Sequence, residues 1–319
     1  LKPKKASLYQ FTQKYSNNID NCIEFFKSMK WPEGFSCDRC GCHKYYLVKR
    51  VGKTKTSYVL ECSSCHKQHS LLSGTIFQSC KLDLYKLLLG IFLFFNENKG
   101  ISAVDLCSIL DVNYKTALLL ENKCRILMSL SNSDKLLNSL FYEADVFNIG
   151  AKSKNKAGRA SGQQPILGIL STDKENNYPR FIKLRVITDY TGLSLKKNIE
   201  KCCVLSHDAL LNTDGEKGFN TLNEEIQVKN EKISYEEKDH RLLWLNIIIG
   251  NIKNNITGIY HGITKREMPL FLNEQEYRFN HRKMGKTIID KIKKYLQRSF
   301  PISHRQIVYI LNISAPHFS

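Results

Sequence analysis

Acidic side chains are scarce: 30 Asp and Glu stand against 48 Lys and Arg, leaving a formal net charge of +18 over 319 residues. An imbalance of that size argues against an ordinary metabolic role and for a polyanionic partner. Long apolar runs are missing as well. The most apolar stretch, Leu87 to Phe95, is too short to cross a bilayer and has polar flanks, so it reads as a buried helix. The first twenty residues are polar and basic, without the apolar core of a signal peptide. No membrane association is expected. The expected setting is intracellular, in cytoplasm or nucleoid for a bacterium and in the nucleus for a eukaryote. Leu1 is not an initiator residue and reads as the start of a trimmed chain or a fragment. Low-complexity tracts are absent too, and with 42% hydrophobic residues the chain can bury a core, which excludes global disorder.

The basic excess lies at the two ends. Residues 1–70 hold 13 basic and 5 acidic side chains, residues 241–319 hold 13 and 4, and the span between is nearly balanced. Two phosphate-facing surfaces around a neutral middle are one reading, and a solubilising surface is the bland one.

Eleven cysteines are an odd number, and four of them form two close pairs, Cys37-x-x-Cys40 and Cys62-x-x-Cys65. Two residues between thiolates let both sulfurs turn to one ion, and a second such pair completes a tetrahedral S4 set suited to structural zinc. Between the pairs, Tyr45–Val48 and Tyr58–Glu61 read as short strands joined by a basic turn over 51–55. That pattern is a zinc ribbon over 35–80, preceded by a lead-in over 1–34. A unit this small needs the metal to fold. Cys42 and His43 are alternative ligands by position. Four thiolates leave no open site for water, which excludes a catalytic zinc. The other six cysteines read as buried side chains.

Residues 81–135 read as helical. A buried helix from Leu82 to Asn96 is followed by Ser102-Ala-Val-Asp105, a capping box opening a short helix that ends near Leu110. A turn over Asp111–Asn113 leads into a longer helix from Tyr114. Short helix, turn and longer helix suggest a helix-turn-helix, with Tyr114, Lys115, Lys123 and Arg125 as candidate DNA contacts, against a purely structural helix pair.

From residue 136 the pattern changes to α/β. Phe141–Asn148, Pro165–Leu170 and Arg180–Ile187 read as strands, Leu193–Ile199 as a helix, and Cys202–Asn212 as carrying a further strand that ends at Thr213-Asp214-Gly215. This is the element order of a ribonuclease-H-like core over 136–285. Glu143 and Asp145 share one strand face. Asp145 on the first strand and Asp214 at the end of the fourth can meet at one sheet edge and hold two Mg²⁺ ions roughly 4 Å apart. The bland reading is a turn aspartate and a strand aspartate capping a backbone amide. A basic excursion holding Lys152, Lys154, Lys156 and Arg159 suits a hairpin loop.

Taken together, the chain resembles the DDE-type insertion-sequence transposases of the ISXO2-like family, which begin with a zinc ribbon and carry a ribonuclease-H-like catalytic domain. The resemblance spans about residues 20–285. It rests on Trp31-Pro-Glu-Gly34, the two cysteine knuckles, Ser73–Phe77, the helical stretch from Gly100 to Ala117, Glu143-x-Asp145, Thr213–Gly215 with Gly218-Phe219, Lys253 with Gly258–Gly262, and Phe279–Arg282. It implies DNA cleavage and strand transfer at transposon ends by three acids with Mg or Mn. The first acid is then Asp145 and the second Asp214. Lys253 sits near the DNA backbone and His261 belongs to the same region. Assembly as a homo-oligomer on double-stranded DNA is implied too.

The third acid departs from the pattern. The resemblance calls for a Glu seven residues before Lys253, and Asn246 stands there; Val146 replaces a Glu after the first Asp. An amide adds no negative charge and cannot act as a base. Asp239, Glu236, Glu237 and Glu143 are candidate substitutes. Beyond Arg282, a basic amphipathic helix forms a tail over 286–319, with Ile307–Leu311 as a final edge strand or packed segment. Three functions follow. One is a transposase-derived DNA-binding protein with impaired catalysis. Another is an active transposase with a replacement acid. The last is a zinc-ribbon interaction module on a structural α/β domain.

Overall fold

The structure, a computed structural model, describes residues 6–52, 56–132, 136–150, 163–173, 178–230, 242–283 and 288–314. The chain divides into two units: Leu1–Leu130 with Lys283–Ile307, and Ser131–Arg282 with Val308–Ser319.

In the first unit, α1 (Leu8–Tyr15) and α2 (Ile19–Lys30) start at Ser7 and Asn18, whose side chains accept from backbone N–H groups three residues on. Three antiparallel strands follow in the order β1 (Tyr45–Val51), β2 (Thr56–Cys62), β3 (Gln68–Ser70). The apolar run expected to be a buried helix is α3 (Leu84–Asn96), capped by Asp83 and buried from Leu87 through Phe95. A helix apolar on every side has no solvent face, so it forms the core of this unit. Next, α4 (Ala103–Leu110) opens on Ser102, whose hydroxyl accepts from the Asp105 N–H at 3.1 Å and donates to its carboxylate at 2.7 Å. It ends at Asp111 in the left-handed region, φ 48°, and α5 (Tyr114–Asn132) begins three residues later.

The described residues of the tail over 286–319 include two helices. Its helix Ile288–Arg298 buries Ile288, Ile292 and Leu296, one stripe at four-residue spacing, and belongs to the first unit. Lys293 donates to the Ser28 hydroxyl at 3.0 Å, Gln297 to the Met29 carbonyl at 2.9 Å, and the Ile76 N–H to Ser299 at 3.1 Å. Residues 307–311 lie in a helix, His304–Ser314, and not in a strand.

The second unit is built on a five-stranded mixed sheet. Its strands are β4 (Phe141–Ile149), β5 (Gln164–Asp173), β6 (Tyr178–Val186), β7 (Leu210–Thr213) and β8 (Gln227–Asn230), in the order β6-β5-β4-β7-β8. The first three pair antiparallel, and β4, β7 and β8 run parallel. One face carries Tyr142, Ala144, Leu167 and Leu211 against α6 (Gly192–Glu200) and the turn holding Phe219 and Leu222. The other carries Phe147, Ile149, Ile166 and Ile182 against α7 (Leu243–Gly258) and α8 (Met268–Asn280). This α/β arrangement is consistent with a ribonuclease-H-like fold.

The open edge of β6 is closed by side chains. Asn280 accepts from the Ile182 N–H at 2.8 Å and donates to the Ile182 carbonyl at 3.0 Å, as a neighbouring strand would. Glu276 accepts from the Leu184 N–H at 3.2 Å and pairs with Lys183 and Arg185 at 3.1 and 3.0 Å. Covering an edge in this way removes a template for unwanted pairing.

Candidate functional site

The two cysteine knuckles have the same local geometry. Gly41 and His66, each four residues after the first cysteine of its pair, adopt φ of 70° and 57° and donate to the carbonyls of Cys37 and Cys62. Those turns bring the four sulfurs within 4.8 Å of one another, with Cys37–Cys65 and Cys40–Cys62 both at 3.5 Å. A tetrahedral ion with bonds of about 2.3 Å needs sulfurs roughly 3.8 Å apart. The cluster can hold a metal ion. Burial opposes ionisation of Cys37, yet the Arg39 and Cys40 N–H groups and the His69 ring outweigh it and bring the thiol down to about 6. The alternative ligands point elsewhere: His43 Nδ1 sits 2.9 Å from the Phe35 carbonyl, and Cys42 lies against Ser63. Of the six remaining cysteines, Cys80 and Cys107 are half-buried and not fully enclosed as expected.

The candidate DNA contacts of α5 separate into two pairs. Tyr114 is 51% exposed and Lys115 is exposed in the first turn of the helix. Lys123 and Arg125 are corrected. Both are buried; Lys123 donates to the Ile76 carbonyl at 2.5 Å, and Arg125 pairs with the buried Glu121 at 2.6 Å. Their charges are spent inside the first unit and cannot face a phosphate. Sequence reasoning also passed over β1, where Tyr46, Leu47 and Val51 are exposed beside the exposed Lys49 and Arg50. The only signal was a strand with no consistent apolar face.

In the second unit, the parallel β4–β7 register pairs Ala144 with Thr213, the last residue of β7, and Asp145 and Asp214 are the residues that follow that pair. Asp145 is half-buried and Asp214 exposed. Strand alternation turns Asp145 toward the face covered by α7, with Glu143 and Phe147. Opposite Asp145 on β5 is Gly168, where a Cβ would lie 3.3 Å from both Leu245 and Phe147. A bare backbone there lets α7 settle close to the sheet.

Glu143 is 2% exposed and accepts from the Leu245 N–H at 3.0 Å, in the first turn of a helix whose own N-cap, Leu242, offers no side-chain acceptor. Burial raises its carboxyl to about 7, with the Leu245 N–H acting the other way. Asn246 follows Leu245 and is exposed; seven residues on along the same helical stripe is Lys253, also exposed, its ammonium 5.8 Å from the Phe147 ring centre. Lys253 and His261 line one open groove of about 1020 Å³ with Phe147, Asn148, Gln163 and Thr257. His261 takes φ 52° and Gly262 φ 121°. The structure thus sets Asp145 and Asp214 each one residue past the Ala144–Thr213 pair, and lines one groove with Lys253 and His261. The substitutes Asp239, Glu236 and Glu237, and the loop lysines 152, 154 and 156 with Arg159, lie outside the described residues. Among the described residues, no helix is long and apolar enough to cross a membrane.

Residues 141–280 match the ISXO2-like transposase domain, and residues 18–68 match the transposase zinc-ribbon domain. No curated protein matches the chain. Among solved structures, a chain of a pre-cleavage Mos1 transpososome aligns with 72% of this chain and 79% of its own length, at 10% identity and a TM-score of 0.26. That likeness is too loose to inform either fold or function.

Proposed function

We propose that this chain, an ISXO2-like transposase domain behind a transposase zinc-ribbon domain, binds duplex DNA at transposon ends and cuts it poorly. The carrying observation is the donor set. Asp145 and Asp214 supply two carboxylates, the α7 stripe supplies an amide at Asn246, and Glu143, on the same strand face as Asp145, is turned to the Leu245 N–H. Two-metal strand cleavage needs Mg or Mn to activate the attacking oxygen and steady the leaving one. Two carboxylates and a neutral amide suit one such ion and leave the second short of charge.

In this reading Zn is structural, held by Cys37, Cys40, Cys62 and Cys65. The ribonuclease-H-like sheet presents Asp145 and Asp214. Tyr114 and Lys115 meet the duplex at the N-terminus of α5, the end from which such helices usually read bases. Lys253, a mobile point charge, meets a phosphate in the groove beside His261. The working form is a homo-oligomer on paired DNA ends inside the cell.

The test uses the full chain, Mg²⁺ or Mn²⁺ and a duplex carrying the terminal repeats that flank its gene. The wild type is expected to retain the duplex without nicking it, and Asn246→Glu to introduce metal-dependent nicking. Robust cleavage by the wild type, abolished by Asp214→Ala, would favour the active-transposase reading instead. No retention of any duplex would leave the zinc-ribbon interaction module.

A further inference from the structure

His69 sits in the middle of β3, paired across to Leu60, and is 7% exposed. Its ring is enclosed edge-on by Phe35 and Trp31, with centroids 5.3 and 6.1 Å away at 79° and 81°. An aromatic box of this kind suits a phenyl ring as well as an imidazole, so packing alone does not call for histidine. The polar atoms have two neighbours. Nδ1 lies 3.7 Å from the Asp38 carboxylate, too far for a hydrogen bond, and Nε2 has no hydrogen-bond partner. The Cys37 sulfur, the Asp38 carboxylate and a His69 ring nitrogen all lie within 4.8 Å of one another. A buried, unsatisfied ring nitrogen is costly in an ordinary core.

The cost has a purpose if Cys37 is a thiolate. Four thiolates around a divalent cation leave the cluster with a net charge of about −2. N–H donors to the sulfurs spread that charge and hold the ligands in place. We infer that His69 is a positioning residue of the cysteine cluster, donating a ring N–H to the Cys37 sulfur while Phe35 and Trp31 hold the ring in place. The inference rests on the zinc reading of the cluster. It assigns no fifth ligand, because four sulfurs already close the coordination sphere.

The test uses the full chain and zinc alone. His69→Phe keeps the ring packing and removes the donor; His69→Gln restores an N–H. Competition with a chromophoric chelator is expected to show zinc held roughly ten- to a hundred-fold less tightly by the Phe variant, with most of the loss recovered by Gln. In the cobalt-substituted protein the thiolate-to-metal charge-transfer band is expected to move in the Phe variant and to return toward the wild-type position in the Gln variant. A third measurement needs no variant. With an NMR-active cadmium isotope in the wild-type protein, a scalar coupling is expected between the metal and the His69 ring N–H, transmitted through the sulfur.

Equal zinc affinity and an unmoved cobalt band in a folded Phe variant would overturn the inference. So would equal losses in Phe and Gln with the band unmoved, which is the signature of packing alone, or the lack of any cadmium coupling. Failure of the wild type to take up zinc at all is a different result: it removes the metal centre itself, and the role of His69 with it.

Discussion

Lys115 and Lys123 stand eight positions apart on one helix and read alike in sequence, yet they should fail differently when neutralised. Lys115 is exposed in the first turn of α5; Lys123 is buried with its ammonium on the Ile76 carbonyl. Each lysine–phosphate pairing that is removed reduces the slope of log affinity against log salt by about 0.9. Over a fourfold change in salt, say 50 to 200 mM, one such pairing therefore accounts for roughly a three- to fourfold change in affinity. Lys115→Gln should flatten the slope by about 0.9, leave the melting temperature unmoved, and weaken binding most at low salt.

Lys123→Gln should do the reverse. Burial already lowers the tendency of this amine to hold its proton. Losing its bond leaves the Ile76 carbonyl short of a donor inside the protein, at a cost of about 1–3 kcal/mol in stability. Its salt slope should match the wild type at a temperature where the variant is folded. The assay is fluorescence anisotropy of a labelled duplex at five or six salt concentrations, beside urea denaturation of the same preparations. Equal slope changes for the two variants would refute the reasoning, as would a flattened slope for Lys123→Gln alone. In either case the burial of Lys123 would be wrong, and the second half of α5 would return as a DNA surface.

Two further perturbations probe the units separately. Removing zinc with a strong chelator should unfold residues 35–68 while leaving the five-stranded sheet intact, since structural zinc supplies roughly 10–16 kcal/mol to domains of this size; amide exchange read residue by residue shows it, and uniform protection before and after chelation would contradict it. Glu143→Ala should destabilise the second unit by about 1–3 kcal/mol through the orphaned Leu245 N–H, whereas Glu143→Gln, which keeps an acceptor oxygen, should recover most of that. Trp244 fluorescence in a Trp31→Phe background reports this unit alone, and identical losses for Ala and Gln would mean that the Leu245 bond carries little.

The sequence showed what is encoded over short distances. Both knuckles were legible because each needs only two thiols and a turn at fixed spacing, and Ser102 announced α4 because its partner Asp105 is three residues away. The strands β4, β5 and β6 could be read because each runs for nine or ten residues. By contrast β3 and β8, with three and four residues, are too short to show alternation. Residues 307–311 are β-branched and aromatic enough to suggest a strand, but they lie in a helix.

Arg125 is taken by Glu121 on its own helix, four residues before it, but other charged side chains are taken by distant partners. A run of polar and basic residues on α5 looks like a DNA face until Ile76, 47 residues earlier, takes Lys123. Glu143 looks like a spare catalytic acid until Leu245, 102 residues later, takes its carboxylate. The same logic bears on Asn246. A replacement third acid must do more than exist in the sequence; it must have no competing partner and must reach the Asp145–Asp214 edge. Glu143 shares a strand face with Asp145 but already has a competing partner. In the proposed reading, charge missing at 246 is then not supplied by Glu143, and placing a carboxylate at 246 itself is the more direct route to cleavage.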